Sequence, residues 1–228
     1  MGEPATAVSD PMSRLTLRRP ICGATPEVLV RPWREVDYCS VDLETTGLDL
    51  RRDSIVSYGA VTVRGGRVVG SSAVYALARP NREPSPSSVA VHTLRAVDCA
   101  DAPGDRETGH ALSALLEDKV LVAHAAWIET TLLKRYLAKV GRRLSPLVVD
   151  TAALARAVSL APPEGNAEPS LEWLAYQLRL PCYTPHHALG DAMTTAIVFV
   201  ALVSRLAALQ PDLTAGDLFR VSEQYRRA

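Results

Sequence analysis

What the chain lacks narrows its class before any motif is considered. Cysteine is sparse: Cys22, Cys39, Cys99 and Cys182 are scattered, with no Cys-x-x-Cys pair among 228 residues. That argues against a disulfide framework and against a zinc knuckle. Cys182 lies four residues before His186-His187, a faint zinc-like cluster without enough well-spaced ligands. Net charge is also missing, because 25 Lys and Arg balance 25 Asp and Glu. Bulk electrostatics therefore announces no nucleic-acid partner, although a local basic patch stays open. No charged segment followed by an apolar run marks a secretory signal at the N-terminus. The most apolar run, Ala196 to Val203, is followed by Arg205 and is too short to span a bilayer. No membrane association and a reducing, cytoplasmic setting are the expectation.

The hydrophobic content of 47% and charged content of 22% fit one globular domain with short appendages. Residues 1–35 hold several prolines and no sustained periodicity, and read as a flexible extension. Arg14, Arg18, Arg19, Arg31 and Arg34 make it locally basic, as a solvated leader or as a nucleic-acid contact. The domain itself is expected over 36–209, with a C-terminal helical tail over 210–228.

Alternating apolar and polar residues predict a strand from Tyr38 to Glu44. Ser54 to Val63 and Arg67 to Leu77 are two more strands, joined by the Gly65-Gly66 turn. After a loop from Pro80 to Pro86, Ser87 or Ser88 is placed to cap a short helix. From Asp105 onward the period becomes helical, with Leu112, Leu115 and Leu116 in a stripe. Val120–His124 and Leu147–Asp150 read as short buried strands, each followed by a helix. Further helices are expected from Ser170 to Leu178, from Asp191 to Leu209 and from Thr214 to Arg227. The pattern is α/β, with three antiparallel strands and then two parallel ones in a mixed five-stranded sheet flanked by helices.

Within that frame, several carboxylates stand where a charge is costly. Asp42 and Glu44 share one face of the first strand, where like charges repel and burial worsens the cost. A divalent cation between them relieves both, since hard oxygen donors suit Mg²⁺ or Mn²⁺; an exposed edge strand with solvated acids is the plain alternative. Glu129 falls on the apolar stripe of Leu132, Leu133, Tyr136 and Leu137. Asp191 shares a face with Val198 and Leu202, with a plain helix cap as the alternative. One dinuclear site, with ions about 3.5–4 Å apart, accounts for all four acids. His186, five residues before Asp191, is placed to accept a proton from an attacking water, with His187 as its rival. His124 and His92 read as structural, and His110 as surface.

These residues resemble the DEDDh 3′–5′ exonucleases, the group with the proofreading ε subunit of bacterial DNA polymerase III, ribonuclease T and oligoribonuclease. Val41-Asp42-Leu43-Glu44-Thr45-Thr46-Gly47-Leu48 matches the first motif, and His186-His187-Ala188-Leu189-Gly190-Asp191 the third, H-x-A-x-x-D. In the second, H-N-x-x-F-D, this chain reads His124-Ala125-Ala126-Trp127-Ile128-Glu129, without the Asn, Phe and Asp. The resemblance covers roughly 36–209 and implies a ribonuclease H-like fold and a two-metal-ion exonuclease. Asp42, Glu44, Glu129 and Asp191 would hold two Mg²⁺ or Mn²⁺ ions, and His186 would be the general base. Thr45, Thr46, Gly47 and Leu48 would meet the 3′-terminal nucleotide of single-stranded DNA or RNA, releasing nucleoside 5′-monophosphates. DNA repair is the implied setting, and Asp150 is structural support. The alternative is an exonuclease-like binding or polymerase-accessory module of low activity. Gln177-Leu178-Arg179-Leu180 loosely resembles a sliding-clamp peptide, though Leu174 and Leu178 one turn apart suit core packing. A homodimer is left open.

Overall fold

The structure, a computed structural model, describes residues 20–160 and 168–225. The strands are β1 (Ile21–Cys22), β2 (Tyr38–Thr45), β3 (Ile55–Arg64), β4 (Arg67–Leu77), β5 (Val120–Ala123), β6 (Arg143–Leu144) and β7 (Val148–Asp150). The helices are α1 (Pro86–His92), α2 (Asp105–Leu116), α3 (Trp127–Lys139), α4 (Thr151–Ala157), α5 (Leu171–Leu178), α6 (Ala188–Leu209) and α7 (Ala215–Tyr225). Five strands form one sheet in the order β4-β3-β2-β5-β7. The β2–β3 and β3–β4 pairs are antiparallel, whereas β2–β5 and β5–β7 are parallel. The expected mixed sheet is therefore present, with β2 at its centre.

The alternation along β2 divides the core in two. Val41 and Leu43 face a cluster that includes Leu112 and Leu116 of α2 and Leu132, Leu133 and Tyr136 of α3. Tyr38 turns the other way, against Phe199 of α6, with ring centroids 4.8 Å apart. Ser40 follows it, its hydroxyl donating to the carbonyl of Ala192 at 2.9 Å. Asp42 and Glu44, continuing this alternation, lie on the α6 side.

Two segments depart from expectation. The extension was expected to be flexible through residue 35, yet 20–35 is packed on the domain. β1 pairs in parallel with β6, Cys22 and Trp33 are buried, and Tyr38 donates from its hydroxyl to the Trp33 carbonyl. Burial of Trp33 with the aliphatic residues of α6 and α7 outweighs the lack of local periodicity. Arg14, Arg18 and Arg19 lie outside the described residues. At the other end α7 packs on α4 and Asp217 accepts from Thr214 at its start, as its capping position predicts.

The second departure is α6, which begins at Ala188 with His187 as its N-cap, three residues before the expected start. It has 22 residues and is long and apolar enough, by length and composition, to cross a membrane. Its apolar side instead lies on β2 and β3, burying Val198, Phe199, Leu202 and Val203. At α1 the cap is Ser85, whose hydroxyl accepts from the amide of Ser88, so the expected Ser87 and Ser88 fall inside the helix.

Candidate active site

The site forms where the C-terminal end of β2 meets the first turn of α6. Gly59 sets how closely they approach. It lies opposite Asp42 in the β2–β3 pair and opposite Tyr75 in the β3–β4 pair. A Cβ on Gly59 would meet the Ala188 carbonyl oxygen at 2.2 Å, so only glycine lets the helix backbone rest on the sheet there. Gly190 has the same role one turn on, where a Cβ would lie 2.4 Å from the Thr184 carbonyl oxygen. The loop before α6 can thus fold against its first turn.

This docking carries Asp191 to the two acids of β2. Among the described residues, Asp42, Glu44 and Asp191 form a group in which one carboxylate oxygen from each lies within 4.8 Å of the others. Glu129 approaches from α3, on the other layer, and stands outside that group although its charge acts on Asp42. The structure thus brings three of the four expected ligands together and leaves the fourth beside them. None of the ion pairs among the described residues involves any of the four.

Their proton affinities reflect that deficit. Burial, and then the charges of Glu129, Glu44 and Asp191, raise the Asp42 carboxyl well above its ordinary range. Burial and the Asp191 charge push Glu44 up to about 7. Asp191 is raised to about 6, chiefly by burial, against the lowering effect of the His186 amide and ring. Burial raises Glu129 to about 8, opposed in part by its own backbone amide and that of Leu43. Oε2 of Glu129 and Oδ1 of Asp191 are buried without a hydrogen-bond partner. Crowded carboxylates, raised pKa values and orphaned oxygens fit a divalent cation, whose charge would offset all three.

His186 lies at the mouth, exposed, with backbone φ of +59°. Its amide donates to Oδ2 of Asp191 at 2.8 Å, and its ring is near enough to lower the pKa of both Glu44 and Asp191. The rival His187 is occupied otherwise: it caps α6, accepting at Nδ1 from the Gly190 amide at 3.4 Å. His124 donates from Nε2 to the Pro169 carbonyl and faces the Thr151 hydroxyl through Nδ1, each at 2.9 Å, as a structural residue should.

Beside the acids opens a cavity of about 360 Å³ lined by Leu43, Glu44, Thr45, Gly47, Leu48, Ser85, Ser87, Ser88, Val91, His92 and Ile128. Thr45, Gly47 and Leu48 line this cavity, and Leu48 is 72% exposed. Thr46 is different. Its hydroxyl donates to Asp53 at 2.8 Å and accepts from the Ser54 amide, and its backbone pairs with Ser54 and Ser85. It holds the loop in shape, and it does not line the cavity. His92 donates from Nε2 to the Thr45 carbonyl at 3.0 Å and accepts at Nδ1 from the Leu94 amide; burial lowers its pKa. The serines and Asp53 carry no motif signal, and sequence reasoning does not reach them as site residues. Ile128 was legible only as the neighbour of Glu129.

The segment resembling a clamp peptide is spent on the core. Leu178 and Leu180 pack against the buried cluster around Leu174, and Arg179 is the left-handed cap of α5.

Comparison with known proteins agrees with this geometry. The RNase T exonuclease family model matches residues 40–199. The chain is 34% identical over 189 residues to a DNA polymerase III subunit epsilon-like protein of Rhodobacter capsulatus, covering 82% of this chain and 26% of that protein. It thus spans about a quarter of that relative's length. Against the DNA polymerase III subunit epsilon of Treponema pallidum it is 30% identical over 173 residues, covering 75% of this chain and 79% of that one. Exonuclease X, solved with 5′ overhanging duplex DNA, superposes with a TM-score of 0.60 at 24% identity, over 81% of this chain and 99% of that one. The fold is the ribonuclease H-like one expected. On the family match over 40–199, with Asp42, Glu44 and Asp191 gathered at its centre, the chain belongs to the RNase T exonuclease family.

Proposed function

We propose that the protein is a 3′–5′ exonuclease that removes nucleoside 5′-monophosphates from single-stranded DNA or RNA ends with two Mg²⁺ or Mn²⁺ ions. The observation that carries this reading is the convergence of Asp42, Glu44 and Asp191 within 4.8 Å. Those three would hold one ion, and Asp42 with Glu129 a second. When bound, such ions polarise the phosphoryl oxygens and ease deprotonation of water.

The chain's own groups supply the rest. The cavity beside Glu44 accepts the terminal nucleotide, its base against Leu48, Val91 and Ile128 and its sugar toward the Thr45 backbone. The terminal phosphodiester is thereby placed against the acids. His186 accepts the proton from the attacking water as the new P–O bond forms and the P–O3′ bond breaks. The 3′ oxygen leaves with the shortened strand.

Relatives named as DNA polymerase III epsilon proteins favour DNA ends and a polymerase partner; a cytoplasmic DNA-repair setting is part of the proposal. The test is a 5′-labelled oligonucleotide incubated with Mg²⁺ or Mn²⁺. A ladder abolished by EDTA and by Asp42→Ala is expected; binding without a ladder would sink the proposal. That second outcome is what an accessory module of low activity predicts, a reading favoured by the position of Glu129 outside the triad. Matched DNA and RNA oligonucleotides in competition decide the substrate.

A further inference from the structure

We propose that Tyr75, on β4 at the edge of the sheet, is a positioning residue for His186, acting through the ring of His187. The inference rests on the exonuclease reading of the site.

The rings of Tyr75 and His187 stack with centroids 4.3 Å apart and planes 26° from parallel. Their meeting is built into the sheet. Asp42, Gly59 and Tyr75 occupy one cross-strand row, and the first turn of α6 rests on the glycine in the middle. From that single seat the turn sends Asp191 toward Asp42 on one side and His187 toward Tyr75 on the other. Tyr75 remains 37% exposed, and besides the stack its hydroxyl lies against the Ser57 side chain.

His186 needs such an anchor. It is exposed and in the left-handed backbone region, where a residue with a side chain is held only if its surroundings impose it. Its amide bonds to Asp191, which fixes the backbone nitrogen and leaves the ring direction to the chain that follows. The side chain of the next residue is tied at two points: by the cap to the Gly190 amide and by the stack on Tyr75. Upstream, the Tyr183 amide donates to the Thr194 hydroxyl at 2.9 Å. Without the ring of Tyr75 the His187 side chain keeps one 3.4 Å hydrogen bond, beside the backbone bonds of its amide to the Thr184 carbonyl and of its carbonyl to the Asp191 amide. A general base displaced by about 1 Å loses on the order of 100-fold in rate.

The test uses the full chain and the variants Tyr75→Ala, Tyr75→Phe and His187→Asn. Asparagine keeps a helix-capping side chain while removing the ring. Single-turnover and steady-state cleavage of a labelled oligodeoxynucleotide are read beside amide hydrogen exchange at 183–187 in the metal-free protein. Tyr75→Ala is expected to lower kcat about 10- to 100-fold with KM changed less than about twofold, and to speed exchange in the loop. Tyr75→Phe restores both, and His187→Asn repeats the loss, which keeps the proposal testable should Tyr75→Ala fail to fold. Wild-type kcat in the two disruptive variants, a phenylalanine as impaired as the alanine, or unchanged exchange would each overturn it. A wild-type protein that gives no ladder overturns the exonuclease reading instead, and the exchange data alone then decide the stack.

Discussion

Two buried acids, Asp150 and Glu129, lie close enough for the Asp150 charge to raise the pKa of Glu129, and they differ in almost everything else. Asp150, 3% exposed, ends β7 and accepts from three backbone amides: those of Ala125 and Ala126 at 3.1 Å and of Ala152 at 2.9 Å. Its own amide donates to the Ser222 hydroxyl. Glu129, 5% exposed, keeps one oxygen with no partner. Both carboxylates were taken out of water, but only Asp150 was given donors for both of its oxygens. A buried acid with its amides supplied is structural; one left short is waiting for a cation from outside. By that criterion Asp150 ties β5 and α3 to α4, and Glu129 fits the role proposed for it at the site.

The sharpest way to break the contrast is Asp150→Ala, which strands three amide donors. It should cost about 3 kcal/mol or more in unfolding free energy, read by urea denaturation, and adding divalent cations should restore none of that directly. Next comes Glu129→Gln. Removing a charge that lacks a partner should raise the melting temperature of the metal-free protein while lowering kcat on the order of 100-fold. An equal fall in both would make Glu129 a second structural acid.

A smaller effect follows from pH. Glu44, Asp191 and Glu129 carry folded pKa values of about 7, 6 and 8 against ordinary values of 4.5, 3.8 and 4.5. Raised carboxyls mean that the folded state binds more protons than the unfolded one. Metal-free stability is therefore greatest at acid pH with respect to these groups and falls as pH climbs through 6 to 8. Saturating Mg²⁺ or Mn²⁺ should flatten that slope in a series of thermal melts, and a slope unchanged by metal would count against the site. The smallest change tests the segment between the two acids. Ala125 has φ of +49°, a conformation that costs a residue with Cβ about 1 kcal/mol. Ala125→Gly should recover roughly that amount of stability with activity intact.

How much was legible follows the same division. The strands, the helix order and the four acids could be read because period and charge are local properties of a chain. Trp33 docked from a segment without periodicity could not, since its partners are far away in sequence; His187 as the cap of α6 and Thr46 spent on Asp53 are short-range contacts that neither period nor charge marks. Clamp-like Gln177 to Leu180 was legible as core from the one-turn spacing of Leu174 and Leu178, and the core does claim its leucines.

The sequence by itself determined that Asp42 and Glu44 share a strand face, that Glu129 and Asp191 stand on apolar helix faces, and that a histidine precedes the last of them. Alternation and helical pitch dictate those relations without reference to any fold. Only the tertiary structure decided which acids meet. That outcome turns on a bare Gly59, over which the backbone of α6 settles, carrying Asp191 to the strand. Glu129 comes from the opposite layer and stops short of the group of three. Distances between layers are set by packing, and no periodicity along a chain encodes them.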